Sequence, residues 1–228
     1  MKKITILAIA FGFMSISANS QDLKSKRGES FLPEKGDWSI GFDAYGIFQY
    51  LGNAFNNSSN IGGPYVNNNI GMMSNGIIVK KYTSATTAYR ALANVEFNNF
   101  KDTSYSESTM NLLAGLGKEW RKGKTRLQGY YGADAYLRLS SYKEKNTATD
   151  YEYKSGLSIG VGGHGFLGAE YFIFPKLSLS AEYAYWVFVN SNPKSKTTNG
   201  STTVEGNSNT SYGLSGVQTT QININLHF

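Results

Sequence analysis

The stretch LSIGVGGHGFLGAEYFIFPKLSLSAEYAYWVFVN, residues 157–190, consists of two alternating runs separated by a short break at residues 173–176. In the second run, one face is continuously apolar: Leu177, Leu179, Ala181, Tyr183, Tyr185, Val187 and Val189. The opposite face carries Ser178, Ser180, Glu182 and Ala184. A strict period of two predicts β-strands, and these are longer than most strands of soluble sandwiches. Their length and polarity predict a hairpin of a membrane β-barrel, apolar toward lipid and polar toward the lumen.

The same alternation recurs along the chain and predicts eight strands. They cover residues 38–48, 71–82, 87–98, 109–120, 125–140, 157–172, 177–190 and 215–228. The second strand has the least regular pattern, because Ile77, Ile78 and Val79 are apolar on both faces. Long connections (52–70, 99–108, 141–153, 191–214) alternate with short ones (83–86, 121–124, 173–176). This order is typical of an antiparallel up-and-down barrel in an outer membrane.

Composition supports an all-β chain without a cofactor. The 228 residues suit one domain, and 16 Tyr, 13 Phe and 25 Gly with only 4 Pro favour β-structure over a helical bundle. The absence of Cys excludes disulfides, thiolate metal sites and a lipoprotein anchor, and two His leave little for a metal site. The net charge of +6 comes without a basic cluster interleaved with aromatics, so nucleic acid is not an expected partner.

The N-terminus has the features of a secretory signal. Lys2 and Lys3 precede an apolar segment, residues 4–16, and small residues at 17–20 predict cleavage before Gln21. An N-terminal anchor helix is the alternative. We therefore predict a signal peptide at 1–20, a periplasmic tail without regular structure at 21–36, and the barrel at 37–228. No other stretch has 18 consecutive apolar residues, so no helix is expected to span a membrane.

Charged residues distinguish the membrane barrel from a soluble eight-stranded barrel of lipocalin type, which has the same period. Seven of them lie opposite the apolar faces: Arg90, Glu96, Arg126, Asp134, Arg138, Glu170 and Glu182. Side chains fill the lumen of an eight-stranded barrel, and an isolated buried ion is costly. We therefore predict that these residues form a charge network that plugs the lumen. A gating or proton-transfer role is the alternative interpretation.

Aromatic residues near the predicted strand ends indicate two interfacial girdles. The candidates are Tyr82, Trp120, Tyr131, Tyr171 and Tyr185. Simple lipid-facing bulk is the alternative reading of these side chains.

Two features bear on catalysis or nucleotide binding. Residues 160–165, GVGGHG, match G-x-G-x-x-G, but the strand pattern continues through them where a dinucleotide site needs a helix. Glycines there are expected to give room for strand curvature or a bulky neighbour. His164 is the only mid-strand His and lacks a His-x-Ser pair or a second strand-borne His. We predict that the protein is not an enzyme; an outer-membrane enzyme acting on lipid or peptide is the second alternative.

Three segments resemble a known family: residues 82–92 (YTSATTAYRAL), 168–182 (GAEYFIFPKLSLSAE) and 222–228 (ININLHF). They are similar to small outer-membrane barrels of the OmpX/OmpA transmembrane type, in the form common in Bacteroidetes. The resemblance implies a Gram-negative outer membrane, with its lipid and the barrel-assembly machinery as partners. That machinery reads the last strand, which here carries Ile222, Ile224, Leu226 and Phe228.

The resemblance leaves activity open, because the family includes adhesins, subunits of larger complexes and proteins without a known role. Loops on a rigid scaffold carry specificity, so the long loops are the expected binding surface. We predict a structural, binding or accessory subunit that contacts a larger outer-membrane complex or a surface ligand. A porin-like channel for small solutes or ions is the first alternative.

Overall fold

The computed structural model describes residues 23–44, 76–216 and 221–228. In these residues the chain is all-β and forms one antiparallel sheet without a helix. The strands are β1 (Trp38–Asp43), β2 (Ile77–Ser84), β3 (Thr87–Lys101), β4 (Tyr105–Lys122), β5 (Leu127–Asn146), β6 (Tyr151–Lys154), β7 (Ser158–Phe174), β8 (Leu177–Asn192), β9 (Lys196–Asn199), β10 (Thr202–Glu205), β11 (Asn209–Gly216) and β12 (Gln221–His227). Across the same residues, no helix is long and apolar enough to cross a membrane.

Eight strands form a closed ring in the order β1-β2-β3-β4-β5-β7-β8-β12. The last strand pairs with the first, with Ile40 opposite Leu226 and Phe42 opposite Ile224. Backbone hydrogen bonds between Trp38 and Phe228 extend this pairing to the C-terminus. These eight strands correspond to the eight that the sequence predicts.

The ring has two different ends. At one end, consecutive strands are joined by short turns, at residues 85–86, 123–126 and 175–176. The segment that precedes β1 and the C-terminus also lie at this end, which we call the short-turn end. At the opposite, distal end, several strands run on beyond the ring.

The distal extension corrects the prediction of three long loops at 99–108, 141–153 and 191–214. Strands β3, β4 and β5 continue through most of the first two regions, and β6, β9, β10 and β11 occupy much of the rest. The prediction was wrong because it identified strands by an apolar face. Backbone pairing of polar hairpins in water does not need such a face. The predicted loop 52–70, the signal at 1–20 and the strand portions at 45–48, 71–75 and 217–220 lie outside the described residues.

Three neighbouring strands of the sheet are each interrupted once and then continue in the extension as a separate short strand; we call this interruption the crease and each such pair of strands a line. β6 continues the line of β7 along β5, β9 continues β8, and β10 continues β11. All three lines are interrupted at one level, at residues 155–157, 193–195 and 206–208. Gly156, with φ of 73°, lies against Pro193 there. Strands β3, β4 and β5 pass this level without a break.

The two faces of the ring have opposite chemistry. On β8, Ser178, Ser180 and Glu182 are buried inside, whereas Tyr185 and Val187 are exposed outside. The other ring strands follow the same order. The apolar-out, polar-in arrangement predicted from the alternation therefore holds for this part of the ring, whereas farther along β8 the inward side chains Ala184 and Trp186 are apolar.

Interior glycines make space for large neighbours. A Cβ at Gly162 would lie 2.7 Å from the Tyr136 hydroxyl, and one at Gly115 would lie 2.7 Å from a Leu92 methyl group. β7 runs unbroken from Ser158 to Phe174 through the GVGGHG segment. These glycines thus serve packing inside a strand, as predicted, and no helix follows them.

Gly132 gives a direct test of this packing. A Cβ there would overlap the Phe166 ring and the Lys118 carbonyl oxygen. We expect Gly132→Ala to lower the free energy of unfolding by about 1–3 kcal/mol, the usual cost of overpacking. Urea titration in detergent or vesicles measures it. The control is Gly165→Ala on the paired strand, where the nearest atom is 4.0 Å away. Equal stability of the two variants would contradict the packing argument.

Candidate functional site

A cluster of ionisable side chains fills the interior of the ring at its short-turn end. Its members, which we call the ion cluster, are Lys80, Arg90, Glu119, Arg121, Asp134, His164, Glu170, Glu182 and His227. They come from seven different strands, and all are buried. Three cations face four carboxylates, and each His contacts one of those carboxylates. Every second residue of a strand points inward, and each of these residues occupies an inward position of its strand.

Arg90 connects one half of the cluster. Its guanidinium donates two hydrogen bonds to Glu182, at 2.9 and 3.2 Å, in a bidentate pair. It also lies 3.4 Å from Asp134 and 3.5 Å from Glu119. The Phe166 ring covers the guanidinium at 3.7 Å. Bidentate pairing and stacking both favour arginine over lysine at this position.

Arg121 and Lys80 connect the other half. Arg121 lies 2.8 Å from Glu119 and 2.7 Å from Glu170. Lys80 lies 2.8 Å from Glu119 and 3.8 Å from Glu170. Arg121 also donates to the Tyr82 hydroxyl at 3.1 Å. Two carboxylates thus share two cations, and this sharing offsets the cost of removing all four from water.

The two histidines lie in different surroundings. His227 Nε2 is 3.2 Å from Glu170 and 3.0 Å from Ser178 Oγ, and Ser178 also donates to Glu170. His164 Nε2 is 3.1 Å from Asp134, and its ring stacks on Trp186 at 4.1 Å. In the first group, serine and glutamate meet the same imidazole nitrogen. A nucleophile–base–orienter arrangement needs them on different nitrogens.

An apolar layer lies inside the ring, mostly on the distal side of the ion cluster. Its members are Ile78, Leu92, Leu113, Tyr130, Tyr136, Phe166, Ala184 and Trp186, with Phe188 packed against them. On β3, Leu92 follows Arg90 on the inward face, and on β5, Tyr136 follows Asp134. This packing covers part of the ion cluster with apolar side chains, with Phe166 on Arg90 and Trp186 on His164. Low polarity around the cluster strengthens its ion pairs.

A small polar chain lies beyond the apolar layer. Asn111 donates to Glu96 at 3.1 Å and accepts from Arg138 at 3.2 Å. Glu96 is exposed and Arg138 is half-buried. These two predicted members of the lumen network are therefore separated from the ion cluster.

Of the seven residues predicted for the lumen network, the structure brings four together: Arg90, Asp134, Glu170 and Glu182. Glu96 and Arg138 belong instead to the polar chain around Asn111. Arg126 precedes β5 at the short-turn end, where its guanidinium lies 3.6 Å from the centre of the buried Phe31 ring.

Sequence reasoning missed Lys80, Glu119 and Arg121. Arg121 lies in the predicted short connection at 121–124, but β4 extends to Lys122. Lys80 follows the segment that is apolar on both faces. The same segment contained a usable signal. Where a strand of a barrel with a polar interior is apolar on both faces, its inward apolar residue, here Ile78, belongs to the apolar layer.

Three of the predicted girdle aromatics face outward near the short-turn end: Trp120, Tyr131 and Tyr171. Trp120 and Tyr131 stack at 5.8 Å. Outward lysines lie over neighbouring rings, with Lys81 4.5 Å from Trp38 and Lys118 5.2 Å from Trp120.

Two girdle assignments are corrected. Tyr82 points into the ring, where it is buried and contacts Arg121, because it shares the inward parity of Lys80. Tyr185 faces outward but lies midway along β8, opposite Gly165. It is therefore part of the wall and not of an end belt.

The C-terminal strand completes the outer wall. Ile222, Leu226 and Phe228 are exposed on the outside, and Ile224 is half-buried there. Asn223, Asn225 and His227 point inward. Asn225 donates to Glu170 at 3.1 Å, so the last strand both closes the ring and contributes to the cluster.

No group of three or more His, Cys, Asp or Glu side chains in the described part of the chain is arranged to hold a metal ion. No family model matches the chain, and no curated protein is significantly similar to it. The resemblance to small outer-membrane barrels therefore stays a prediction.

Glu170 tests the energetic role of the ion cluster. Glu170→Gln keeps the side-chain shape but removes the charge that faces Arg121, Lys80 and His227. We expect a loss of about 3–5 kcal/mol in the free energy of unfolding, because buried cations lose their counter-charge. Urea titration measures it, with Glu96→Gln as the exposed control expected to stay within about 0.5 kcal/mol. Unchanged stability of Glu170→Gln would contradict a stabilising role for the cluster.

Proposed function

We propose that the protein is an outer-membrane β-barrel with a side-chain-filled lumen. In this proposal it acts at the cell surface as a structural, binding or accessory subunit. The observation that carries the proposal is the inverted distribution of polarity: ion pairs inside the ring and apolar side chains on its outer wall. Contiguous apolar surface of this extent marks contact with a membrane or a partner.

The outer wall supports contact with lipid on every ring strand. Its exposed apolar side chains include Trp38, Ile77, Tyr89, Leu116, Leu137, Leu167, Val187 and Leu226. Leu116 has 71% of its surface exposed and Val187 has 57%. In water these exposed apolar side chains would contribute no hydrophobic stabilisation, whereas in hydrocarbon they would be removed from water, which is favourable. A soluble barrel of lipocalin type would reverse the two faces.

Ring closure supports the same environment. Lipid offers no hydrogen-bond partner to a free strand edge, so a membrane sheet must close on itself. The β1–β12 pairing meets this requirement. The short-turn end carries lysines above tryptophan rings, as is common where a wall meets the headgroups.

These features also suggest an orientation. Short turns and both chain ends face the periplasm in outer-membrane barrels. The distal strands then project from the cell. They carry half-exposed tyrosines beside carboxylates, such as Tyr142 hydrogen-bonded to Glu144 at 3.2 Å. This surface takes the place of the long loops as the proposed binding region.

The interior favours a plug over a channel or an enzyme. The apolar layer packs side chains from six of the eight ring strands into the interior beside the ion cluster. In the buried Ser178–His227–Glu170 group, the serine hydroxyl and His227 Nε2 both contact the same Glu170 oxygen. Both arrangements support a structural role for the buried polar residues.

Leu116→Arg tests the membrane assignment directly. At the middle of a lipid-facing strand, arginine is expected to cost about 2–4 kcal/mol, whereas on a water-exposed wall the same change stays within about 0.5 kcal/mol. The measurement is the unfolding free energy in phospholipid vesicles by urea titration. Val204→Arg on β10, where Val204 is also exposed, is the matched control and should have little effect. A neutral Leu116→Arg would contradict insertion of this wall.

Planar-bilayer recording tests the plugged lumen. We expect the purified protein to produce no steady large conductance, because the apolar layer and the ion cluster fill the ring. Insertion is verified in parallel by protease protection of the strands in vesicles. Steady conductance from inserted protein would contradict the plug and favour the porin-like alternative.

A further inference from the structure

The outward face of the distal extension carries a row of like charges. Lys143 on β5 lies directly opposite Lys154 on β6, and Lys154 lies directly opposite Lys196 on β9. Neighbouring strands are about 4.8 Å apart, and like charges that face each other across strands are destabilising. Three adjacent lysines therefore form an arrangement that the fold alone does not favour.

Two glutamates compensate the row only in part. Glu152 lies 3.2 Å from Lys143 and 3.0 Å from Lys154, and Glu205 lies 3.2 Å from Lys196. Hydrogen bonds from Lys154 and Lys143 hold the pKa of Glu152 below its usual value. A hydrogen bond from Lys196 does the same for the pKa of Glu205, so both carboxylates are charged at neutral pH.

The row belongs to a larger basic patch. Lys145 lies opposite Glu152 on the same face, and Lys194 lies 3.6 Å from Glu205. We define the lysine patch as Lys143, Lys145, Lys154, Lys194 and Lys196. Its five lysines against two glutamates leave a formal charge of +3. The side chains of the row are 50–59% exposed, so their charges are available to a ligand.

The position of the patch relates it to the proposed membrane. On the outward face of β5, Leu137 and Leu139 end the apolar wall, and only Ser141 separates them from Lys143. In the proposed orientation this level corresponds to the headgroups of the outer leaflet. Basic residues just beyond an apolar surface attract anionic lipid headgroups.

We infer that the lysine patch binds the phosphate groups of a phosphorylated glycolipid in the outer leaflet. This inference rests on the proposed function. Lysine ammonium groups are point charges with three donors on flexible stems, and a row of them suits several mobile phosphates.

Native mass spectrometry of the full-length protein in detergent tests the inference. The probe is diphosphoryl lipid A, compared with its dephosphorylated form and with inorganic phosphate as competitor. We expect the diphosphoryl form to be retained, the dephosphorylated form to be lost, and equimolar inorganic phosphate not to displace the lipid. Equal retention of both lipids, or displacement by equimolar phosphate, would overturn the assignment to lipid phosphates. Failure to retain either lipid would also overturn it.

Charge-matched variants locate the site. Lys143→Gln, Lys154→Gln and Lys196→Gln combined should weaken lipid A binding about tenfold or more. The control combines Lys24→Gln, Lys26→Gln and Lys35→Gln, which make the same charge change in the segment before β1 and should leave binding unchanged. Equal loss in both variants would mean that net charge, and not the patch, governs binding.

Two further measurements separate the possible failures. Salt titration of the wild-type protein should weaken binding steeply, because exposed charges are screened; a salt-independent affinity would overturn the inference even if the triple variant does not fold. Vesicle insertion of the wild-type protein tests the proposed function separately. Insertion without lipid A binding would reject the patch alone, whereas a failure to insert would reject the membrane assignment.

Discussion

The pairing of β1 with β12 is the constraint on which the rest of the structure depends. It turns a sheet into a ring and creates an interior that water does not reach from the sides. Ionised groups inside such a space must neutralise one another, because an unpaired buried charge costs several kcal/mol. The shared contacts of Glu119 and Glu170 with Arg121 and Lys80 follow from this requirement.

The apolar layer and the ion cluster depend on each other. The layer surrounds part of the cluster with apolar side chains and so strengthens its electrostatic attraction, while the cluster pairs the charges that face inward. A slip of one residue along any strand would exchange its two faces and place charges on the apolar wall. The specificity of the strand register thus comes from the polar contents of the ring as much as from its apolar exterior.

The alternation of the sequence was enough to predict the ring strands, because the face on which a residue lies depends only on its position within its own strand. Parity alone placed Arg90, Asp134, Glu170 and Glu182 inside. It did not reveal their partners, because Lys80, Glu119 and Glu170 come from strands that are distant in sequence and meet only across the closed interior. The distal strands were missed for a different reason. They pair without an apolar face, so the hydropathy pattern does not distinguish them from loops.

The crease at residues 155–157, 193–195 and 206–208 separates the outer segments β6, β9 and β10 from the ring strands whose lines they continue, while β3, β4 and β5 run past it unbroken. Since three adjacent lines restart their pairing at this level, an insertion or deletion beyond it changes hairpin length without shifting the ladder below. The outer segments of β6, β9 and β10 can accordingly be exchanged as cassettes. The same scaffold is able to present different surfaces while its sealed base stays the same.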